Sequence, residues 1–276
     1  HRTRGEPRDP PMAPPSPAFS ALLAASLDAP PELFPLLPEL FQDLEDLGAR
    51  AEDVVAVLRQ ARLPEAARVL DLGCGKGASA IALARELGLR VHGIDGVAPF
   101  VAHAAAGAAR QGVAERCTFE VGDLREVART ARDRDVVMML ALGDVLGPLE
   151  QTVRTLLDCV RPGGYVVLDD AFFDPARLDD PGAIPDEFAG LPDRAASERL
   201  IEAAGARIVG ERVADTADAY AWLQEMTARV LARAEELAAV YPELERPLHE
   251  FAVRQCAETQ DLLGPVVGVL WLLARR

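Results

Sequence analysis

Hydrophobic positions along the chain fall into two rhythms. Between Pro31 and Arg62 the apolar residues Leu33, Leu36, Leu37, Leu40, Phe41, Leu44 and Leu47 recur at steps of three and four, which predicts amphipathic helix. Leu47-Gly48 supplies a break, a second helix is expected over Ala51–Leu63, and Pro64 stops it. From Ala67 onward, short apolar runs alternate with helical stretches bounded by glycine or proline. The runs are Val69–Leu72, Val91–Asp95, Thr118–Asp123, Asp135–Leu140 and Arg161–Asp170, followed by an irregular stretch over 171–193, a helix to Ala204 and a sixth run at Ala206–Val213. Such alternation predicts right-handed βαβ units and a parallel sheet. Two long helical patterns, Asp215–Tyr241 and Glu243–Leu263, precede a last strand at Val266–Leu273. The apolar run around that strand is about half the ~20 residues a membrane-crossing helix needs, so it reads as a buried strand.

Chemistry concentrates where the first strand ends. Val69-Leu70-Asp71-Leu72 runs into Gly73-Cys74-Gly75-Lys76-Gly77-Ala78, an acidic strand end followed by three alternating glycines and a helix-forming run. Such a loop turns sharply and lets a cofactor approach a helix N-terminus. A phosphate-loop NTPase is excluded, because Lys76 is followed by Gly77 with no hydroxyl residue for a metal ion. Gly73-x-Gly75-x-x-Ala78 does fit the dinucleotide fingerprint, so the loop alone leaves a nicotinamide or flavin dinucleotide open beside S-adenosylmethionine. The flanking residues favour the latter. Asp71 would repel a pyrophosphate and attract an ammonium. Asp95 closes the second strand about twenty residues on, where ribose hydroxyls need an acceptor. Asp123 closes the third, a position from which a carboxylate would accept an adenine amino group while Leu124 packs on the ring.

With Ala141-Leu142-Gly143-Asp144 after the fourth strand and Arg161-Pro162-Gly163-Gly164 opening the fifth, this ordered set resembles the class I S-adenosylmethionine-dependent methyltransferase family over roughly residues 65–213 plus the final strand. The resemblance implies a Rossmann-like, doubly wound α/β fold with a seven-stranded sheet, mostly parallel with the last strand antiparallel. N-terminal helices and a helical insert before the last strand would complete it. Asp71, Gly73, Cys74, Gly75 and Gly77 would line the methionine end of the donor, with Cys74 a small filler and not a nucleophile. Asp95 with Gly96 would hold the ribose, Asp123 with Leu124 the adenine, and Leu140 would floor the pocket. The family's last two strands form an edge hairpin, so an insert at 215–263 departs from the minimal pattern. In the resulting division, residues 1–18 are a disordered tail or foreign remnant, 19–64 an N-terminal helical segment, and 65–276 the methyltransferase domain.

Composition narrows the acceptor. A formal net charge of −15 opposes a phosphate backbone, so a small molecule is expected and nucleic acid is not. Lys76 is the only lysine. Cys74, Cys117, Cys159 and Cys256 show neither a Cys-x-x-Cys pair nor a nearby histidine, which argues against zinc or a disulfide framework and for a reducing cytoplasm.

Methyl transfer from a sulfonium chiefly requires alignment and exclusion of water, and a general base only for some acceptors. The candidate bases at the carboxyl edge are Asp170, placed with its neighbour Asp169 after the fifth strand, and next Asp144, after the fourth. The acidic pair Asp169-Asp170 is similar to that of metal-dependent catechol-type methyltransferases, but Ala141 stands where a further carboxylate ligand is needed, so no metal is expected. The leucine stripe reads as ordinary packing, although methyltransferases of this kind commonly fold an N-terminal helical segment over the cofactor, which would bring Phe34 or Phe41 there; His103 reads as a solvated helix histidine in preference to one facing the cofactor. The insert is either a lid, with Tyr220, Trp222, Met226, Tyr241 and His249 as candidate lining, or the surface of a homodimer. Rival readings are a non-catalytic donor-binding protein that docks through the insert and, more remotely, an NAD-dependent oxidoreductase.

Overall fold

The computed structural model describes residues 29–178, 180 and 184–275. The tail expected at 1–18 lies outside them. Seven strands form one sheet in the order β3-β2-β1-β4-β5-β7-β6. They are β1 Arg68–Leu72, β2 Arg90–Asp95, β3 Cys117–Val121, β4 Arg134–Met139, β5 Val160–Phe173, β6 Ala206–Val213 and β7 Val266–Arg275. The pairs β1·β2, β1·β4, β2·β3 and β4·β5 are parallel, whereas β7 runs antiparallel between β5 and β6. The sheet therefore matches the expected doubly wound, mostly parallel architecture.

Nine helices connect these strands among the described residues: α1 Leu37–Leu40, α2 Ala51–Leu58, α3 Ala78–Leu87, α4 Ala98–Arg110, α5 Leu124–Thr130, α6 Leu149–Cys159, α7 Arg194–Ala203, α8 Ala217–Val240 and α9 Glu245–Leu263. Local signals place several of their ends. Asp123 caps α5 by accepting from the Arg125 amide at 2.9 Å, Asp193 caps α7 through Ala196 at 2.7 Å, and Thr216 caps α8 through Ala219 at 3.2 Å. One face of the sheet packs against α5, α6 and α7 through residues such as Leu124, Val153, Leu156 and Ile201. The other face meets α2 and α3 through Val54, Leu58, Ala80 and Leu83.

The N-terminal segment departs from the expected long helix. Pro31–Leu36 is a 3-10 turn, α1 lasts four residues, and the chain from Phe41 to Arg50 is a strap of turns. Pro35 and Pro38 explain this, since each lacks an amide proton that a regular helix would use. The apolar spacing still serves burial. Leu33, Leu37, Leu40 and Phe41 share a core with Val230, Leu237, Leu248 and Phe251 of α8 and α9. Phe41 sits at its centre, edge-on to Phe100 at 6.5 Å and to Phe251 at 6.1 Å. Strap and insert thus form one roof over the carboxyl edge of the sheet. No helix among the described residues is long and apolar enough to cross a membrane.

Candidate active site

The loop after β1 is held open by backbone geometry. Gly73, Gly75 and Gly77 have φ of +79°, +51° and +79°, a region L side chains avoid. Their Cβ positions are also taken: one on Gly73 would overlap Leu142, and one on Gly77 would lie 2.7 Å from Ala104. The Gly73 and Cys74 amides bond the carbonyl of Ile94, which ties the loop to β2. Cys74 packs its sulfur over Gly93, and burial raises its thiol well above the usual range, so it is no nucleophile.

Beneath the loop lies Asp71, 1% exposed, with no hydrogen-bond partner for its Oδ1. Burial, then repulsion from Asp95, pushes it up to about 8. Asp95 is also buried, yet its carboxylate accepts from the amides of Gly75 and Val97, both at 2.8 Å, and from that of Gly96. These bonds offset part of the burial effect, leaving it raised to about 6. Asp71, Gly73, Cys74, Gly75, Asp95 and Leu140 line one cleft of about 70 Å³, with Leu47 and Gly48 of the strap above. Leu47 reaches down to within 3.1 Å of where a Gly75 Cβ would be.

Asp123 and Leu124 are not among the residues that line this cleft. Asp123 is engaged by Arg125, whose guanidinium donates at 2.7 Å, and Leu124 is wholly buried in the sheet core. That pairing keeps the Asp123 carboxyl below its ordinary value despite its partial burial. Gly77 and Gly96 do not line the cleft either: Gly77 is the residue from which α3 starts, and the Gly96 amide donates to Asp95.

A second cavity, of about 700 Å³, adjoins the cleft and shares Leu47, Gly48, Ala49 and Ala141 with it. Its floor is the carboxyl edge of the sheet and its far wall is the insert, with Tyr220, Trp222 and Met226 of α8 and Thr259 of α9. Tyr241 and His249, candidates from the sequence, do not line it, and His103 turns instead to Glu45, 3.1 Å away. Phe41 lines it whereas Phe34 does not. Asp169 and Asp170 both face this space. They lie inside β5 and not after it, because β7 pairs with β5 as far as Phe173 and prolongs the strand. Asp169 accepts from the Ala141 amide, and burial with the adjacent Asp170 raises it to about 7. Asp170 accepts from the Ala171 amide at 2.8 Å and is raised to about 6 by burial, with the negative Asp144 adding to it. Asp144 itself is exposed and outside both cavities. No group of three or more His, Cys, Asp or Glu among the described residues is arranged to hold a metal ion.

Sequence reasoning missed the strap. Lys76, 5% exposed, turns away from the loop and donates to the carbonyls of Phe41 at 2.7 Å, Gln42 at 3.1 Å and Leu44 at 2.7 Å. A lone lysine between two glycines was the available signal.

Comparison with known proteins bears on this geometry. Residues 69–164 match the model of a methyltransferase domain family. The solved S-adenosylmethionine-dependent methyltransferase of Thiobacillus denitrificans, in complex with S-adenosyl-L-homocysteine, shares the fold at a TM-score of 0.69, covering 87% of this chain and 98% of that one at 18% identity. Over residues 69–164 the chain is thus similar to a methyltransferase domain, and its fold is that of a solved S-adenosylmethionine-dependent methyltransferase. Among curated methyltransferases, norajmaline N-methyltransferase of Rauvolfia serpentina is 28% identical over 101 residues, which cover 36% of this chain and 34% of that one. A probable chloroplastic tocopherol O-methyltransferase of Oryza sativa subsp. japonica is 32% identical over 101 residues, covering 36% and 28%. The matched stretch thus spans about a third of the length of these curated methyltransferases.

Proposed function

We propose that this chain is an enzyme that transfers a methyl group from S-adenosylmethionine to a small molecule seated in the larger cavity. The observation that carries the reading is Asp71. A carboxylate oxygen buried without a partner at the mouth of a three-glycine turn is costly unless a cation meets it, and the donor's ammonium is such a cation. A diphosphate at the same place would meet like charge.

In this reading Asp71, Gly73, Gly75 and Gly77 receive the methionine end. Asp95 receives the ribose hydroxyls on the lone pairs its three amide bonds leave free. Asp123 takes the adenine amino group while sharing its carboxylate with Arg125. The bound donor supplies an electrophilic methyl on a sulfonium. The protein aligns it, with Ala141 and Gly48 on the wall common to both cavities, and the roof of strap and insert keeps water out. Where the acceptor must lose a proton, Asp170 or its neighbour Asp169 takes it, both raised toward neutrality at the cavity floor.

Calorimetry with S-adenosylhomocysteine and with NAD tests the assignment. Binding of the former, weakened in Asp71→Asn, is the expected result, and binding of NAD alone would overturn it.

A further inference from the structure

Many polar side chains on the wall of the larger cavity reach solvent and are already paired. Arg212 holds Asp53 at 2.7 Å, Tyr220 accepts from Arg177 at 2.8 Å, and Gln255 donates to Glu258 at 3.3 Å. Two buried polar residues stand apart on the insert side of that wall: Thr227 of α8, 8% exposed, and Thr259 of α9, 6% exposed. Thr227 interrupts an apolar face, because Leu223 and Val230 stand one helical turn to either side of it and line the cavity too. Leu262 flanks Thr259 in the same way.

The two hydroxyls bond to each other at 2.6 Å. Each carries one proton, so the pair has two and their mutual bond uses one. Helix threonines elsewhere in the chain return the proton to a carbonyl one turn earlier, Thr130 to Glu126 at 3.1 Å and Thr155 to Gln151 at 2.9 Å. Among the described residues Thr227 and Thr259 make no such bond and have only each other. One hydroxyl proton is therefore left on a wall that is otherwise apolar around it, and a buried donor without an acceptor is costly. A ligand oxygen in the cavity removes that cost. An anionic oxygen would meet Asp169, Asp170 and Asp215 on the same cavity, and the arginines that line it among the described residues, Arg50 and Arg212, are engaged by Glu52 and Asp53. A neutral carbonyl oxygen takes the proton without that repulsion.

We infer that the methyl acceptor is a neutral, largely apolar molecule with a carbonyl oxygen, and that Thr227 and Thr259 fix it in the cavity by donating one hydroxyl proton to that oxygen. The inference rests on the methyl transfer proposed above. The threonine pair is a positioning device: both residues line the larger cavity and neither lines the donor cleft, so they orient the acceptor and stand away from the transferred methyl.

Fluorescence titration of protein saturated with S-adenosylhomocysteine tests this with two probes, 6-propionyl-2-dimethylaminonaphthalene and its 6-propyl counterpart, in which a methylene replaces the carbonyl. The ketone emits at longer wavelength when its oxygen accepts a hydrogen bond than in an aprotic medium of like polarity. Thr227→Val/Thr259→Val removes both hydroxyls together, so it keeps the packed shape and strands no partner. This variant should bind the ketone at least about fivefold more weakly and with emission at shorter wavelength, while its affinity for the propyl compound stays within about twofold. Thr227→Ser/Thr259→Ser keeps the hydroxyls and should bind the ketone within about threefold of the native protein. Equal ketone affinity in the native and valine proteins, a loss shared by both probes, or no ketone bound where S-adenosylhomocysteine binds would overturn the carbonyl assignment alone. Should the valine variant fail to bind S-adenosylhomocysteine, ketone emission on the native protein decides: the hydrogen-bonded wavelength supports the assignment and the aprotic one overturns it. Failure of S-adenosylhomocysteine to bind the native protein would remove the methyl-transfer reading beneath it.

Discussion

Gly48 and Ala141 are pressed together where the two cavities meet, so tightly that a Cβ on Gly48 would overlap that of Ala141. Ala141 has φ of +50°, in the left-handed region, and its amide bonds Asp169. One contact therefore joins the strap, the loop after β4 and the carboxylate pair.

That contact predicts a compensating pair of substitutions. Gly48→Ala forces two methyl groups into one space and should destabilise by about 1 to 3 kcal/mol. Ala141→Gly removes one methyl and relieves the left-handed residue, so alone it should be neutral or stabilising by up to about 1 kcal/mol. Combined, the second should restore most of what the first loses. Urea denaturation of both single variants and the double variant measures the coupling, and strict additivity would show that the two residues do not meet.

Lys76 gives a chemical reporter on the strap. Its three bonds to strap carbonyls make Lys76→Met destabilising by roughly 2 to 4 kcal/mol, since a charged donor is lost and three partly buried acceptors are left. Because no other lysine exists, acylation mapped to the peptide containing Lys76 reads this contact directly. Labelling should be slow in the folded protein and fast in urea. Fast labelling of the native state would mean the strap is not fastened there.

Much of the sheet was legible in the sequence because the inner parallel strands β1, β2 and β4 are largely buried on both faces and read as apolar runs, such as Val136 to Met139. Its acidic ends, Asp71 and Asp95, stood out for the same reason. The strap was not legible. Leucine spacing around Leu37 is the same for a helix as for turns that press the same residues on α8 and α9, and only tertiary packing separates them. Asp169 and Asp170 were misplaced past the end of β5, because the strand's length is set by its pairing with Val266 and Val267, nearly a hundred residues away. The Thr227–Thr259 contact joins two helices and left no local pattern.

Phe41 should be the residue on which the roof depends. It lies edge-on to Phe100 at the start of α4 and to Phe251 of α9, joining the base of the fold to the insert. Phe41→Ala should cost about 3 to 5 kcal/mol, and Phe41→Leu distinctly less, because most of the volume is kept. Hydrogen exchange should show lost protection in α8 and α9 before the central strands. Uniform loss across the sheet would show that Phe41 supports the whole core and not the roof.

Asp71 makes donor binding a proton-linked event. Its ordinary value is 3.8 and in the folded protein it is raised to about 8, so the folded chain holds a proton there that the unfolded chain releases. Between about pH 4 and pH 8 the stability of the ligand-free protein should therefore fall as pH rises. A ligand ammonium stabilises the charged carboxylate and reverses the balance, so binding expels the proton. Affinity for S-adenosylhomocysteine should climb by up to about tenfold per pH unit between pH 6 and 8 and level off above it. Asp95, raised to about 6, adds to the slope at the lower end. Calorimetry at pH 7 in buffers of different ionisation enthalpy should show net proton release, reduced in Asp71→Asn. Proton uptake, or an affinity that falls over this range, would mean that the Asp71 carboxylate is not what meets the ligand.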